Sequence, residues 1–454
     1  MNISRVLSVS AFVVVCASAA TSAIRVQQAP ANWLTDGADS RRTAWQQNET
    51  ILTTANVKDM KLLWKIKLDD QTRQMHSLFP PLIVGSATTT AGPRQIAVVA
   101  GVSDNLYGID VEKGTLLWKR HFDSTYQEPP PVPGGRGGSV LCPGGLTATP
   151  VIAPTAAPGK YIVYAVSWDG RLRTVDVATG EEIEPPAPFL PPNGKPYGLN
   201  LVNGVIYTTT AQGCGGNPNQ FYSYDLATKK VGYYNPGSGG LWPRSGPSVG
   251  KDGTVYAGSG DGDYYTLAKA DFVAAPIVVQ HKEKDLVAVA AKDGRIFVLD
   301  GASLQVPLAT TPAAGELTGE GLASWQDEKG IRWIAAAATG TVVAYRLADE
   351  GPGLALQKGW TSRALVAPLT PLVVNGVVFA LSSGEEESSG AAARAARSSP
   401  AVLYALDSAS GKELWSSGKS ITAPARGGLS AGAGVVYVPT TDSTLYAFGF
   451  PIEK

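Results

Sequence analysis

The 454-residue chain holds only three Cys, three His and three Met, and its 38 Lys and Arg are matched by 38 Asp and Glu. Each shortage excludes a class of protein. Three cysteines are too few for a disulfide scaffold. His76, His121 and His281 are too scattered to suggest a zinc site. A net charge of zero offers no electrostatic footprint for nucleic acid, whose binders concentrate basic residues. Beyond the first two dozen residues no stretch is long and apolar enough to span a bilayer as a helix, so no transmembrane segment is expected. What is abundant is Gly and Pro, 51 and 32 residues in a chain that is 44% hydrophobic. That combination implies many turns and therefore many short strands.

The first segment reads as an address. Arg5 precedes an apolar run from Val6 to about Ala17, followed by small residues at Ala17-Ser18-Ala19 and Thr21-Ser22-Ala23. This is the pattern of a secretory signal peptide over 1–23, which places the mature protein, 24–454, in a secreted or periplasmic compartment. Lipid attachment at Cys16 is disfavoured because Val15 stands where a small residue is expected. Removal of the segment takes away Arg5 and no acid, leaving a net charge of −1.

One phrase recurs along the rest of the chain. Leu106-Tyr107-Gly108-Ile109-Asp110 is followed by Gly114 and Trp118, and Leu403-Tyr404-Ala405-Leu406-Asp407 by Gly411 and Trp415, with identical spacing. Weaker copies end at Asp176, Asp225, Asp300, Arg346 and Gly449. Each is an alternating apolar strand closed by a tight turn, since Asp caps local amides and Gly accepts positive φ. Two further strands lie upstream of each copy, the first often opening on Pro, and a fourth follows the turn. Four antiparallel strands per unit make the blade of a β-propeller.

The wide gap between Asp225 and Asp300 contains a degraded copy, Thr254 to Leu267, with Ala268 at the Asp position. Counting it, the expected fold is an all-β, eight-bladed propeller in a single domain. The last unit lacks room for a fourth strand, while Lys61-Leu62-Leu63-Trp64-Lys65 resembles a fourth strand without its first three. The N-terminal strand is therefore expected to complete the C-terminal blade and close the ring. A low-complexity stretch at about 383–400, opening with Glu385-Glu386-Glu387 and rich in Ala, Ser and Arg, reads as a flexible insertion between the second and third strands of the seventh unit.

The Tyr-Asp-Gly-Trp phrase, together with Asn32-Trp33, Gly37 and the run Asn56 to Trp64, resembles the repeat of the quinoprotein (PQQ-type) alcohol dehydrogenases and their relatives. The resemblance implies that Trp64, Trp118, Trp360 and Trp415 pack across to neighbouring blades rather than stack on a ligand. It brings PQQ and calcium into question as cofactors, yet the chain departs from the dehydrogenases. It has no Cys-Cys pair for a vicinal disulfide over the quinone and no counterpart of their His-Asp-x-Trp-Asp-type segment. Covalent c-type haem is excluded by the absence of Cys-x-x-Cys-His.

In such a ring the loops before each first strand and those between second and third strands share one face. Candidate ligand residues there are Arg136, Trp168, Asp169, Arg244, Asp261, Asp263, Arg363 and Arg426. The four arginines either converge on an anion such as a carboxylate or stand as separate solvated charges. Asp261-Gly262-Asp263 reads as a polar turn rather than a calcium loop, lacking the further oxygen ligands. Cys142 and Cys214, on loops assigned to the same face in an oxidising compartment, are expected to form a disulfide. The function that follows is a monomeric, exported ligand-binding or scaffold module, acting on a small molecule or an envelope protein through its central funnel. Its rivals are a PQQ- and calcium-dependent dehydrogenase of alcohols or sugars and a scaffold for envelope protein assembly.

Overall fold

A computed structural model describes residues 31–124, 139–237, 239–242, 244–260, 272, 274–313, 315–351, 353–386 and 390–451. The segment expected to be a signal peptide, together with Arg136, Asp261 and Asp263, lies outside them. The described chain forms seven four-stranded antiparallel blades. Blade 1 is built from Leu82–Thr89, Gly92–Gly101, Asn105–Asp110 and Thr115–His121, and blade 2 from Val151–Pro154, Tyr161–Val166, Arg171–Asp176 and Glu182–Pro188. Blade 3 comprises Asn200–Val202, Val205–Thr209, Phe221–Asp225 and Val231–Tyr234. Blade 4 comprises Ile277–His281, Lys284–Ala290, Ile296–Asp300 and Ser303–Thr310. Blade 5 holds Leu317–Gln326, Arg332–Ala338, Thr341–Glu350 and Gly353–Thr361, and blade 6 Leu372–Val374, Val377–Ser382, Val402–Asp407 and Glu413–Ser416. Blade 7 takes Ser430–Gly432, Val435–Pro439 and Thr444–Gly449 from the C-terminus and Lys61–Lys67 from the N-terminal region, paired antiparallel to Thr444–Gly449.

The eight-bladed expectation is thus corrected to seven. The degraded copy between blades 3 and 4 forms no four-stranded sheet among the described residues. It contributes two separate two-stranded ribbons, Gly240–Trp242 with Gly258–Gly260 and Ser248–Val249 with Val255–Tyr256. Its run 264–267 lies outside the described residues; in the described part Gly250, Gly253, Gly258 and Gly260 lie in or between strands of only two or three residues, and glycine weakens a strand interior.

The repeat phrase is a device that works between blades. In each complete copy the Asp closes its own turn, as where Gly114 N donates to Asp110 O at 2.8 Å and Lys113 N to Asp110 Oδ1 at 3.0 Å. The Trp then docks on the turn of the following blade. Trp64 Nε1 donates to Val111 O, Trp118 Nε1 to Val177 O and Trp360 Nε1 to Ser408 O, at 2.8 to 2.9 Å. Trp415 Nε1 reaches Met60 O at 2.9 Å. The motif Gly lies beneath the incoming indole: a Cβ on Gly411, which has φ of 71°, would stand 2.6 Å from the Trp360 ring.

The N-terminal residues that precede the ring-closing strand run around the inside of the channel and bond to the wall in chain order. Trp33 exchanges two 2.8 Å backbone bonds with Ile83 of blade 1, and Leu34 O accepts from Ile152 N of blade 2. The Thr35 hydroxyl donates to Leu199 O beside blade 3, and Ser40 O accepts from both Asn200 Nδ2 and Val249 N. Arg41 O, Thr43 O and Ala44 O take Val278 N, Ser324 N and Val373 N of blades 4, 5 and 6, and the Gln46 amide donates to Ala431 O of blade 7. Left-handed backbone at Gly37, Ala38, Arg42 and Ala44 curls the segment into this hoop. Inner strands, whose first-strand donors would otherwise face an open channel, are satisfied by it.

Candidate functional site

The central channel is filled by its own hoop. Arg42 is 1% exposed, and its guanidinium donates to Thr35 Oγ1 at 2.6 Å, Leu199 O at 2.9 Å, Pro247 O at 3.2 Å and the carbonyl of Asp36. Burial lowers its pKa to about 10, with Asp36 and Asp39 opposing the fall, so it stays charged at neutral pH. Above it Arg244 reaches across the channel to the carbonyl of Gly427. The cavity between them, lined by Trp33, Arg42, Arg244, Thr370 and Leu429, has about 20 Å³, room for about one water. Trp33, which lines it, has a buried Nε1 with no hydrogen-bond partner among the described residues.

The face carrying the second-to-third-strand loops is chemically richer. Arg73 and His76, in the loop leading into blade 1, close a tight turn by exchanging backbone bonds of 2.9 and 2.8 Å, with Gln74 and Met75 at positive φ. The Arg73 guanidinium lies 4.3 Å from the centroid of Trp168, and its Nε donates to Pro143 O at 3.0 Å. Trp168 is further held by Nε1 donating to Asn193 Oδ1 at 3.0 Å and by its backbone N–H donating to Asp104 Oδ1 at 2.9 Å. The neighbouring Cys142–Cys214 disulfide ties the loop entering blade 2 to the second-to-third-strand loop of blade 3.

Asp169 sits next to the stacked pair but is committed elsewhere. It bonds Ser167 Oγ at 2.6 Å and Arg173 Nη2 at 3.1 Å, both partners buried, which makes it part of a closed network inside blade 2. Asp104, also buried, is the unusual carboxyl: burial raises its pKa to about 7, and Asp169 adds to the rise while the Trp168 N–H, Arg173 and Arg73 oppose it. His76 is pushed well below the ordinary imidazole value by burial and by the nearby Arg426 and Lys195 cations, so it is neutral at pH 7.

Of the sequence-derived candidates, Trp168 and Asp169 fall together, and Arg244 and Arg426 meet at the loop entering blade 7. Arg426 pairs with Glu385, which is buried and also accepts from Arg394 Nη1 at 3.0 Å. Arg363 is not part of this group: it lies half exposed, paired with Glu413 at 2.6 Å over the Tyr404 ring. Convergence of the described arginines on one point is therefore limited to two of them. Sequence reasoning missed Arg73 and His76, although the loop between Lys67 and Leu82 obeys the same placement rule as the loops that were considered. It also read Glu385 as part of a flexible insertion; in the described part of that stretch Ala391–Arg397 form a short helix and Glu385 pairs with both Arg394 and Arg426. Among the described residues no three His, Cys, Asp or Glu are grouped to hold a metal ion.

The quinone that the repeat implies is a small-molecule cofactor and needs a site of matching size. Small-molecule sites occupy roughly 300–1,000 Å³. At about 20 Å³ the gap between the hoop and Arg244 lies far below that range, and the disulfide joins cysteines 72 residues apart rather than adjacent ones.

Comparison with known proteins places these features. The family model described as outer membrane protein assembly factor BamB matches residues 3–233, half of the chain. A quinohemoprotein alcohol dehydrogenase of Comamonas testosteroni is 29% identical over 152 residues, 34% of this chain, and the match spans only 18% of that enzyme's length. Among solved structures, a quinohemoprotein alcohol dehydrogenase from Comamonas testosteroni covers 95% of this chain and 82% of its own with a TM-score of 0.58 at 14% identity. A europium-containing methanol dehydrogenase covers 93% and 98% with a TM-score of 0.57 at 12% identity. At such identities the likeness is one of fold. The tryptophan-docked blades and the extent of the family match identify the chain as a member of the PQQ-repeat β-propeller family to which the outer membrane assembly factor BamB belongs.

Proposed function

We propose that this protein is an exported binding and scaffold propeller that receives an anionic, carboxylate-bearing ligand or protein segment on the loop face around Trp168, rather than a quinone-dependent dehydrogenase. The observation that carries this reading is the filled channel: the hoop of residues 32–46 and the bridging Arg244 occupy the place where a funnel cofactor would descend. On the face above, the Lys195 and Arg426 cations, the latter already paired with Glu385, lie near a neutral His76, and Arg73 stacks on Trp168 beside them. Cationic groups beside a neutral imidazole favour carboxylate oxygens. Export is supported by the N-terminal pattern and by the Cys142–Cys214 bridge, which persists only where thiols are not kept reduced.

The test has two arms. Purified protein is mixed with PQQ and Ca²⁺, and the cofactor spectrum and dye reduction are followed with a panel of alcohols and sugars; no bound, reducible quinone is expected, and its appearance would overturn the proposal. In the second arm di- and tricarboxylates are titrated calorimetrically into the protein and into a Lys195→Ala/Arg426→Ala variant. Binding that weakens about tenfold or more in the variant is expected, since each charged hydrogen bond contributes roughly 1.5–3 kcal/mol.

A further inference from the structure

On the face opposite the loops, where the ring closes, the structure holds a groove of about 690 Å³. Three pieces of chain far apart in sequence build it. Lys61–Trp64 come from the N-terminal strand of blade 7, Gln95 and Val111–Lys113 from blade 1, and Ala433–Val435 with Phe450 and Pro451 from the C-terminal part of blade 7, while Ile51 overhangs from the linker between hoop and strand. Its size lies within the range of small-molecule sites.

The lining is two-sided. Leu62, Leu63, Trp64, Val111, Val435 and Phe450 form an apolar wall, and Ile51 stays 51% exposed beside it. Among the described residues the rim carries Lys61, Lys113 and one acid, Glu112. Neither lysine makes an ion pair among the described residues, in contrast to Lys67, Lys119 and Lys229, each of which finds a carboxylate. An apolar cleft with two unpaired ammonium groups against one carboxylate at its mouth is complementary to an amphiphile with an apolar tail and a negative head.

We infer that this seam groove is a binding site for an acyl-chain monocarboxylate, its tail along Leu62, Trp64, Val111 and Phe450 and its carboxylate at Lys61 and Lys113. The site is independent of the loop face. Because its walls belong to both ends of the chain, an occupant bridges the closing strand, blade 1 and the C-terminus, and so binds the closed ring better than any opened form.

The test uses the full chain with decanoate, octanoate and decyltrimethylammonium, each below its micellar concentration, followed by calorimetry and thermal unfolding. Decanoate is expected to bind, to raise the melting temperature, and to bind roughly tenfold more tightly than octanoate, because each buried methylene contributes about 0.8 kcal/mol. The cationic amphiphile should bind at least tenfold more weakly than decanoate. Ile51→Glu, at a half-exposed position, should abolish decanoate binding with the unliganded melting temperature unchanged. Lys61→Gln/Lys113→Gln should remove the preference for the anion while keeping the chain-length dependence. Absence of decanoate binding, equal affinity for the two head-group charges, or unaltered binding in Ile51→Glu each overturns the inference.

Discussion

At the scale of single residues, two buried ionisable groups set measurable limits. Asp104 has an ordinary carboxyl value of 3.8 when unfolded and about 7 when folded, because burial penalises its charge. Between those values the folded state holds the proton and the unfolded state does not, so this group's contribution to stability falls as pH rises from about 4 to about 7. Asp104 adopts φ of 57°, a conformation Asn tolerates well, and an amide oxygen still accepts the Trp168 N–H. Asp104→Asn should therefore melt higher than the parent at pH 8, by up to a few kcal/mol at about 1.36 kcal/mol per pKa unit, and nearly the same at pH 4. An equal gain at both values would show that charge burial is not the cause. Arg42 tests the hoop: Arg42→Met removes four guanidinium hydrogen bonds and leaves the buried Asp36 carbonyl without a donor, while Leu199 O keeps the Thr35 hydroxyl and Pro247 O keeps the Asn200 amide, and should cost about 1–3 kcal/mol in denaturant unfolding. The sequence exposed neither role. Burial of an Asp or Arg depends on what the rest of the chain places over it, and nothing local to Asp104 or Arg42 announces that.

At the scale of elements, the repeat phrase acts as a pair of contacts between consecutive blades. Spacing within the sequence located the repeated strand and turn and the Trp of four units, and these four Trp residues all dock on a neighbouring blade's turn or edge. Trp360→Ala should destabilise by about 3–5 kcal/mol through the cavity it leaves. Gly411→Val should be comparably harmful while leaving Trp360 in place, because the added side chain meets the indole and the turn requires positive φ. If thermal or chemical unfolding of Gly411→Val matched the parent, the seam would not be the close contact described. The tryptophans belong to the seams joining blades 7, 1 and 2 and blades 5, 6 and 7; the fourth strands of blades 2, 3 and 4 carry none and instead leave Ile183, Tyr233, Tyr234 and Val306 exposed. The same region holds the glycine-rich copy counted as an eighth blade. Two short apolar runs survive there in the sequence, of which 264–267 lies outside the described residues, and the described part pairs only as two-stranded ribbons.

At the scale of the whole molecule, closure is achieved twice, by Lys61–Lys67 in the outer position of blade 7 and by the hoop inside the channel. A chain beginning at Met60 keeps the first closure and loses the second. It should lose the sharp, cooperative melting transition of the parent, since the inner-strand groups of all seven blades would face the channel unpaired. The disulfide acts on a third level. Cys142→Ser/Cys214→Ser opens a 72-residue loop, and the chain-entropy relation puts the loss near 4 kcal/mol under oxidising conditions. With reductant present the parent should fall to the double variant's stability, and an unchanged difference would point to packing of the sulfurs instead.

The sequence by itself determined the all-β repeat, the strand positions, the N-terminal completion of the last blade and the residues that join successive blades, because these follow from periodicity and spacing that are local to each unit. Only the tertiary structure decided that one unit forms no four-stranded blade among the described residues, that residues 32–46 line the channel, that Glu385 answers Arg426, and that an apolar groove opens at the seam where blade 7 closes. Such features depend on long-range pairing: Arg42 bonds a carbonyl 205 residues away and Gln46 one 385 away, and Ile51 and Phe450 line one groove from distant parts of the chain. Such contacts arise when the ring closes, and no periodicity in the chain encodes them.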